Sequence, residues 1–219
     1  MASQKNIYQR TTISKWLYRS SKISIAGRFV CNKNEEPLFF QSYLELGVLR
    51  HLALNKSIVY MDSQKGSTKW RPEGSHILRT YTPDIITTNN FGEITFIEIK
   101  PKIKITASEK KRLDGIKKAF EDAGYLFKTL TDKDVTYEMF VNSSLLLQSN
   151  NNHFEPSFLE VIVESLSATL PKTFTLKELK QELELFNFPI CHLALIKDGY
   201  FLFDEKKILS PSTKVWRAV

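Results

Sequence analysis

The chain has 219 residues, 42% of them hydrophobic and 25% charged, with a formal net charge of +7. This is an ordinary globular composition, with enough chain to bury a core in one large domain or two small ones. It excludes a disulfide framework, because the two cysteines, Cys31 and Cys191, stand far apart outside any Cys-x-x-Cys pattern, and it excludes a helical membrane span, because no apolar run approaches the roughly 18–20 residues a bilayer needs.

Met1 to Thr12 is polar and lacks the apolar core of a signal peptide, which with the sparse cysteines predicts a soluble protein of the reducing cytoplasm. Residues 1–34 read as a basic N-terminal arm: Lys5, Arg10, Lys15, Arg19, Lys22, Arg28 and Lys33 occur with no acid, and Tyr8, Trp16 and Tyr18 lie among them. Such a mixture either tracks phosphates and stacks on bases or simply solubilises a tail. The basic excess is uneven. Residues 1–150 hold 23 Lys and Arg against 15 Asp and Glu, whereas residues 151–219 hold 8 against 9. A polyanionic partner such as DNA suits the first part.

Gln41 to Leu54 predicts a helix, with Tyr43, Leu44, Leu46, Val48, Leu49, Leu52 and Leu54 in one apolar stripe, Ser42 as N-cap and Glu45 in the first turn. Ser57–Met61 predicts a strand, Gln64–Ser67 a turn, and Trp70 and Ile77–Tyr81 further strands. Tyr81–Thr87 and Glu93–Lys100 then read as a hairpin closed by Thr88-Asn89-Asn90-Phe91-Gly92, and Pro101 stops its second strand. Ser108–Ala123 predicts an amphipathic helix ended by Gly124, followed by a strand over Tyr125–Leu130 whose pairing is parallel.

These elements place a mixed-sheet α/β domain at residues 35–147. A polar linker over 148–155 separates it from a smaller domain at 156–219. In the latter, helices over Pro156–Leu170, from the Thr175-x-x-Glu178 capping box, and over Pro189–Lys197 precede a ribbon of Tyr200–Phe203 and Thr213–Arg217. Three helices then a hairpin is a winged-helix pattern.

The chemistry concentrates on the hairpin. Side chains alternate across a strand, so Glu98 and Lys100 share one face, with Cα atoms roughly 6.6 Å apart, while Ile97 and Ile99 face the other way. Asp84 lies near the start of the first strand and Glu98 near the end of the next, positions that antiparallel pairing brings close together. Two carboxylates and the Ile99 carbonyl are part of an octahedral oxygen shell for Mg²⁺, for which Mn²⁺ would substitute, and Lys100 stands beside it to orient or deprotonate an attacking water. Glu45 would orient a metal water or bind a second ion. His51, His76, His153 and His192 are scattered, so a zinc site is not expected, and a phosphate-binding Gly-x-x-x-x-Gly-Lys loop does not occur.

Ser42-Tyr43-Leu44-Glu45, Tyr81-Thr82-Pro83-Asp84-Ile85, Phe96-Ile97-Glu98-Ile99-Lys100-Pro101 and the run from Gly124 to Asp132 resemble TnsA, the endonuclease subunit of heteromeric cut-and-paste transposases. The resemblance covers the chain from about Gly27 onward. It implies a PD-(D/E)xK restriction-endonuclease-like fold followed by a winged-helix domain, with Glu45, Asp84, Glu98 and Lys100 at the catalytic positions. It also implies an enzyme of the bacterial cytosol and nucleoid that cuts the 5′, non-transferred strand at transposon ends. A TnsB-like DDE transposase would process the 3′ ends, and a TnsC-like AAA+ ATPase would contact the C-terminal domain. The alternatives are a stand-alone PD-(D/E)xK nuclease, such as a restriction enzyme or junction resolvase, and a catalytically inactive winged-helix adaptor.

Overall fold

The computed structural model describes residues 25–218 apart from 35, 64, 73, 153 and 186–188. Most of the basic arm, from Lys5 to Lys22, lies outside the described residues, as do Gln64 of the expected turn and His153. The chain divides into two compact units, residues 1–135 and 136–219. Among the described residues no helix is long and apolar enough to cross a membrane.

In the first unit, β1 (Gly27–Phe29) and β2 (Leu38–Phe40) pair antiparallel ahead of helix α1 (Tyr43–Leu54). Two described residues of the arm are built into this unit. The Arg28 guanidinium lies 5.4 Å from the Phe39 ring centroid. The Lys33 ammonium donates to the carbonyls of Leu52 and Asn55 at 3.3 and 2.5 Å, adding a second donor to carbonyls that already accept from the Asn55 and Ile58 N–H groups and tying this segment to the end of α1. Leu46, Val48, Leu49 and Leu52 of the predicted stripe are buried in α1, whereas Tyr43 in its first turn is exposed and Leu44 and Leu54 are half-buried; Ser42 is the N-cap.

Next come β3 (Ile58–Ser63), β4 (Thr68–Trp70), β5 (Arg79–Tyr81), β6 (Ile85–Asn89), β7 (Ile94–Ile99), α2 (Ala107–Glu121) and β8 (Leu126–Leu130). β4 and β5 form a separate ribbon. The main sheet has the order β3-β6-β7-β8, antiparallel at its first two junctions and parallel at the last, so the fold is mixed α/β with a mixed sheet. The expected hairpin is shorter at one end than its apolar run: Tyr81 belongs to β5, and Thr82-Pro83-Asp84 bridges to β6. Pro83 has no N–H for a ladder bond, which favours the break there.

One face of this sheet is closed by α2. Phe96 of β7 packs at a tilt against Phe120 of α2 with ring centroids 4.5 Å apart, Phe120 stacks on Phe127 of β8 at 5.3 Å, and Trp70, Ile86 and Ile116 complete the buried cluster. Because Phe96 faces α2, alternation turns Glu98 and Lys100 toward the same helix. Gly124 has φ +83 and the Tyr125 N–H bonds to the Phe120 carbonyl, so α2 ends in the left-handed turn that glycine permits and hands the chain to β8. Gly66 is under tighter constraint. It has φ +74, and a Cβ there would lie 3.1 Å from Phe96 Cε1 and 3.2 Å from Ile86 Cδ1. Gly66→Ala is expected to cost about 1–2 kcal/mol from the left-handed backbone alone, seen as a lower melting temperature in a thermal scan.

The second unit contains α3 (Tyr137–Gln148), α4 (Pro156–Thr169), β9 (Thr173–Thr175), α5 (Leu176–Leu185), α6 (His192–Lys197), β10 (Phe201–Phe203) and β11 (Lys214–Arg217). Its antiparallel sheet has the order β10-β11-β9. Helix α3 and strand β9 have no counterpart in the sequence reading. The Thr175–Glu178 box is present and reciprocal: the Thr175 N–H donates to Glu178 Oε2 at 2.6 Å, and the Glu178 N–H donates to Thr175 Oγ1 at 3.1 Å. The polar stretch after α3 is held within this unit. Asn151 is buried; its Nδ2 donates to the Cys191 carbonyl at 3.1 Å while its Oδ1 accepts from the Cys191 N–H at 2.8 Å.

Candidate active site

The β6–β7 register fixes the position of the site. Ile85 pairs with Ile97, so the antiparallel pair extended by one residue sets Asp84 opposite Glu98. Asp84 Oδ2 accepts a 2.7 Å hydrogen bond from the Ile99 N–H, the backbone group between Glu98 and Lys100. On the other side of β7 the Lys100 N–H donates to the Leu130 carbonyl at 2.9 Å. Backbone groups of successive strand residues point to alternate sides, and those of one residue point together. The Ile99 carbonyl therefore faces the edge where Asp84 sits.

Glu98 is buried, with 8% of its surface exposed. Lys100 Nζ lies 3.8 Å from Glu98 Oε1. Burial is the main force pushing the Asp84 carboxyl up to about 8, the charge of Glu98 is next, and Glu45 adds to the rise while the Ile99 N–H works against it. Glu45 is likewise raised, first by burial and further by Glu98, against hydrogen bonds from Gln41 and Ser42. Three carboxyls thus feel one another at one end of the hairpin.

Glu45 has a structural employment that its sequence position also explains. Its Oε2 accepts from the Gln41 N–H at 2.7 Å, its Oε1 accepts from Ser42 Oγ at 2.9 Å, and its own N–H donates to Ser42 Oγ at 3.1 Å. Ser42-x-x-Glu45 is a capping-box variant, in which the carboxylate reaches the N–H of Gln41, one residue before the N-cap, and the Ser42 hydroxyl. Asp62, a buried acid elsewhere on the sheet, is also satisfied: Lys65 Nζ lies 2.8 Å from it, Tyr60 Oη donates to it at 2.9 Å, and the Ser63 N–H donates at 2.8 Å.

Sequence reasoning missed two residues around Lys100, Glu109 and Arg112. Glu109, in the first turn of α2, accepts a hydrogen bond from the Lys100 ammonium. Arg112 grips the same carboxylate with two bonds, Nε to Oε2 at 2.9 Å and Nη2 to Oε1 at 2.7 Å. Arg112 and then Lys100 hold the Glu109 carboxyl down at about 2. The Arg112 guanidinium also lies 5.5 Å from the Tyr81 ring centroid. Among the described residues the Tyr81 hydroxyl is buried without a hydrogen bond of ordinary geometry; burial first and Glu98 second raise its pKa, keeping the phenol neutral. One sequence signal for Glu109 exists: Thr106 caps α2 by accepting from the Glu109 N–H at 3.2 Å, the same Thr-x-x-Glu spacing that marks Thr175 and Glu178. Asp132 supports the strand end by accepting from the Lys102 N–H at 2.5 Å.

Among the described residues no three His, Cys, Asp or Glu side chains form a ready metal-ligand cluster. Two carboxylates and a backbone carbonyl are a smaller demand. Asp84 and Glu98 concentrate negative charge in a poorly solvated place, which is the condition a divalent cation relieves, and the Ile99 carbonyl faces the same edge. The donor set fits Mg²⁺ or Mn²⁺. No known protein family matches the chain, and no curated protein matches it.

Proposed function

We propose that this chain is a metal-dependent DNA endonuclease of the PD-(D/E)xK kind, the TnsA-like subunit that cuts the 5′ strand at transposon ends. The observation that carries the reading is the Asp84 carboxylate bound to the Ile99 N–H, which draws Asp84, Glu98 and Lys100 to one strand end. Asp84, Glu98 and the Ile99 carbonyl would hold the ion, which when bound polarises a phosphoryl oxygen and offsets the charge that builds there. The chain's own groups do the rest. Backbone bonds on both sides of β7 fix the main chain at Ile99 and Lys100, and from there the Lys100 ammonium would donate toward phosphate or water. Glu45 adds negative charge from α1 while capping it.

The second unit supports a winged-helix reading. Its order from α4 is helix, strand, helix, helix, strand, strand, with the last strand in the centre of the sheet. Its near-balanced charge favours protein contact over DNA contact. An open groove of about 400 Å³, lined by Leu145, Leu176, Leu193 and Leu209 with Lys177 and Lys180, offers a surface for the ATPase partner.

The test combines the full chain with the transposase of the same element, a plasmid carrying the element's ends, and Mg²⁺ or Mn²⁺. Nicks at the 5′ strand that vanish on chelation are the expected result. Cleavage of end-free DNA at the same rate without the transposase would instead identify a stand-alone nuclease. Intact DNA in the complete mixture would leave the adaptor reading in possession. Titration calorimetry of Mn²⁺ gives a readout that needs no partner: binding is expected, and its loss in Asp84→Ala.

A further inference from the structure

The Lys100 side chain is held from outside the hairpin. Its stem leaves β7 on the face covered by α2, and its ammonium meets Glu109 in the first turn of that helix. Glu109 is not free to wander. Thr106 fixes its backbone N–H, and Arg112, one turn on, holds both carboxylate oxygens. Arg112 is in turn seated beside the Tyr81 ring, which packs edge-on against Phe120 and Phe127 with centroids 6.5 and 6.2 Å away. The chain of contacts runs from the aromatic core through Tyr81, Arg112 and Glu109 to the lysine.

We propose that Glu109 is the positioning residue for Lys100, with Arg112 bracing it, so that the ammonium is aimed from α2 while Glu98 stays available on the strand. This rests on the reading of Lys100 as a group that acts at the scissile phosphate. A lysine side chain has four rotatable bonds, and an unrestrained ammonium spends most of its time away from any one direction. Glu98 at 3.8 Å is beyond a direct hydrogen bond, so the strand alone does not set the ammonium. Glu109 and Arg112 form a two-point fork, and planar bidentate pairs of this type fix direction as well as distance. The arrangement also balances charge: Arg112 compensates Glu109, so recruiting an anion to hold Lys100 adds no net negative charge beside Asp84 and Glu98.

Two measurements on the full chain test this. The first labels amines with acetic anhydride at a fixed pH and follows each lysine by mass spectrometry. Glu109→Ala is expected to raise the Lys100 rate several-fold, and Glu109→Gln, which keeps an acceptor oxygen, to raise it less, with Lys110 unchanged. The second is metal-dependent cleavage in the reconstituted mixture. Glu109→Ala is expected to lower kcat by about 10–100-fold, the usual cost of losing an outer support, with KM for DNA unchanged and partial recovery in Glu109→Gln. Equal Lys100 labelling in wild type and Glu109→Ala overturns the proposal whatever the enzyme does. Normal cleavage by Glu109→Ala, when Asp84→Ala and Lys100→Ala are dead, overturns it and leaves the nuclease reading standing. Normal cleavage by Asp84→Ala and Lys100→Ala overturns the nuclease reading and the catalytic purpose of the support with it.

Discussion

Asp84→Asn and Lys100→Ala are each expected to lower single-turnover cleavage by about 10²–10³-fold or more at saturating Mg²⁺, with the fold intact. The two substitutions fail for different reasons. Asparagine keeps an oxygen that can accept the Ile99 N–H now bound at 2.7 Å, so the hairpin geometry survives while a ligand charge is lost. Alanine at Lys100 removes the donor and leaves Glu109 paired with Arg112. A thermal scan separates damage to chemistry from damage to folding. In metal-free buffer near pH 8, Asp84→Asn should melt at or above the wild-type temperature, because it deletes a carboxylate that burial and Glu98 disfavour. A dead enzyme that is no less stable is the signature of a residue kept for function. Wild-type cleavage by either variant would remove the substituted residue from the mechanism.

The parts of the site that were legible in the sequence share one property: they depend on alternation along a single strand and on pairing with its nearest neighbour. Glu98 and Lys100 on one face, and Asp84 at hairpin distance, need no knowledge of the remaining fold. Glu109 and Arg112 are different. Their partner lies across an interface between helix and sheet, and only packing of α2 on Phe96 brings them to Lys100. Glu45 stands between these cases, since its capping box is written in Ser42-x-x-Glu45 although its nearness to Glu98 is tertiary.

Helix α3 escaped for a related reason. Its buried positions include Asn142 and Ser143, so the inward face does not read as apolar, while Tyr137 and Leu145 are exposed. The burial is stable because Asn142 is satisfied: Nδ2 donates to the Lys207 carbonyl at 2.8 Å and Oδ1 accepts from the Leu209 N–H at 2.8 Å. Those partners lie more than sixty residues away and leave no periodic trace. Strands β1, β2 and β9 span three residues each, too short for alternation to register. The long apolar stripes were legible because most of their hydrophobic positions are buried, as Leu46, Val48, Leu49 and Leu52 are in α1 and Leu113, Ile116 and Phe120 in α2; the exposed Tyr43 is the misread end of the α1 stripe.

The metal-free protein is expected to lose stability as pH rises from about 5 to about 8, and divalent ions should restore it. A carboxyl whose pKa in the fold lies above its unfolded value of about 3.9 binds more protons folded than unfolded between the two values. Stability from that group is complete below the lower value and disappears as pH climbs through the higher, here about 8 for Asp84, with the raised Glu45 acting in the same sense. Glu109, with its lowered pKa, runs oppositely, but its gain is complete once pH exceeds the ordinary carboxylate range, so it does not mask the fall. His192, lowered mainly by burial, gains stability as pH passes its unfolded value near 6.5 and subtracts from the slope. The net drop in melting temperature should be on the order of 5 °C, with about 2–4 °C per kcal/mol for a chain of this size. Asp84→Asn should flatten most of it. Millimolar Mg²⁺ or Mn²⁺ should raise the melting temperature more at pH 8 than at pH 5, because the ion competes with protons for the same oxygens. Calorimetric scans at both pH values, with and without the ion, give the comparison. A melting temperature that climbs steadily to pH 8 without metal, and ignores Mn²⁺, would mean that Asp84 and Glu98 do not share one cation-seeking pocket.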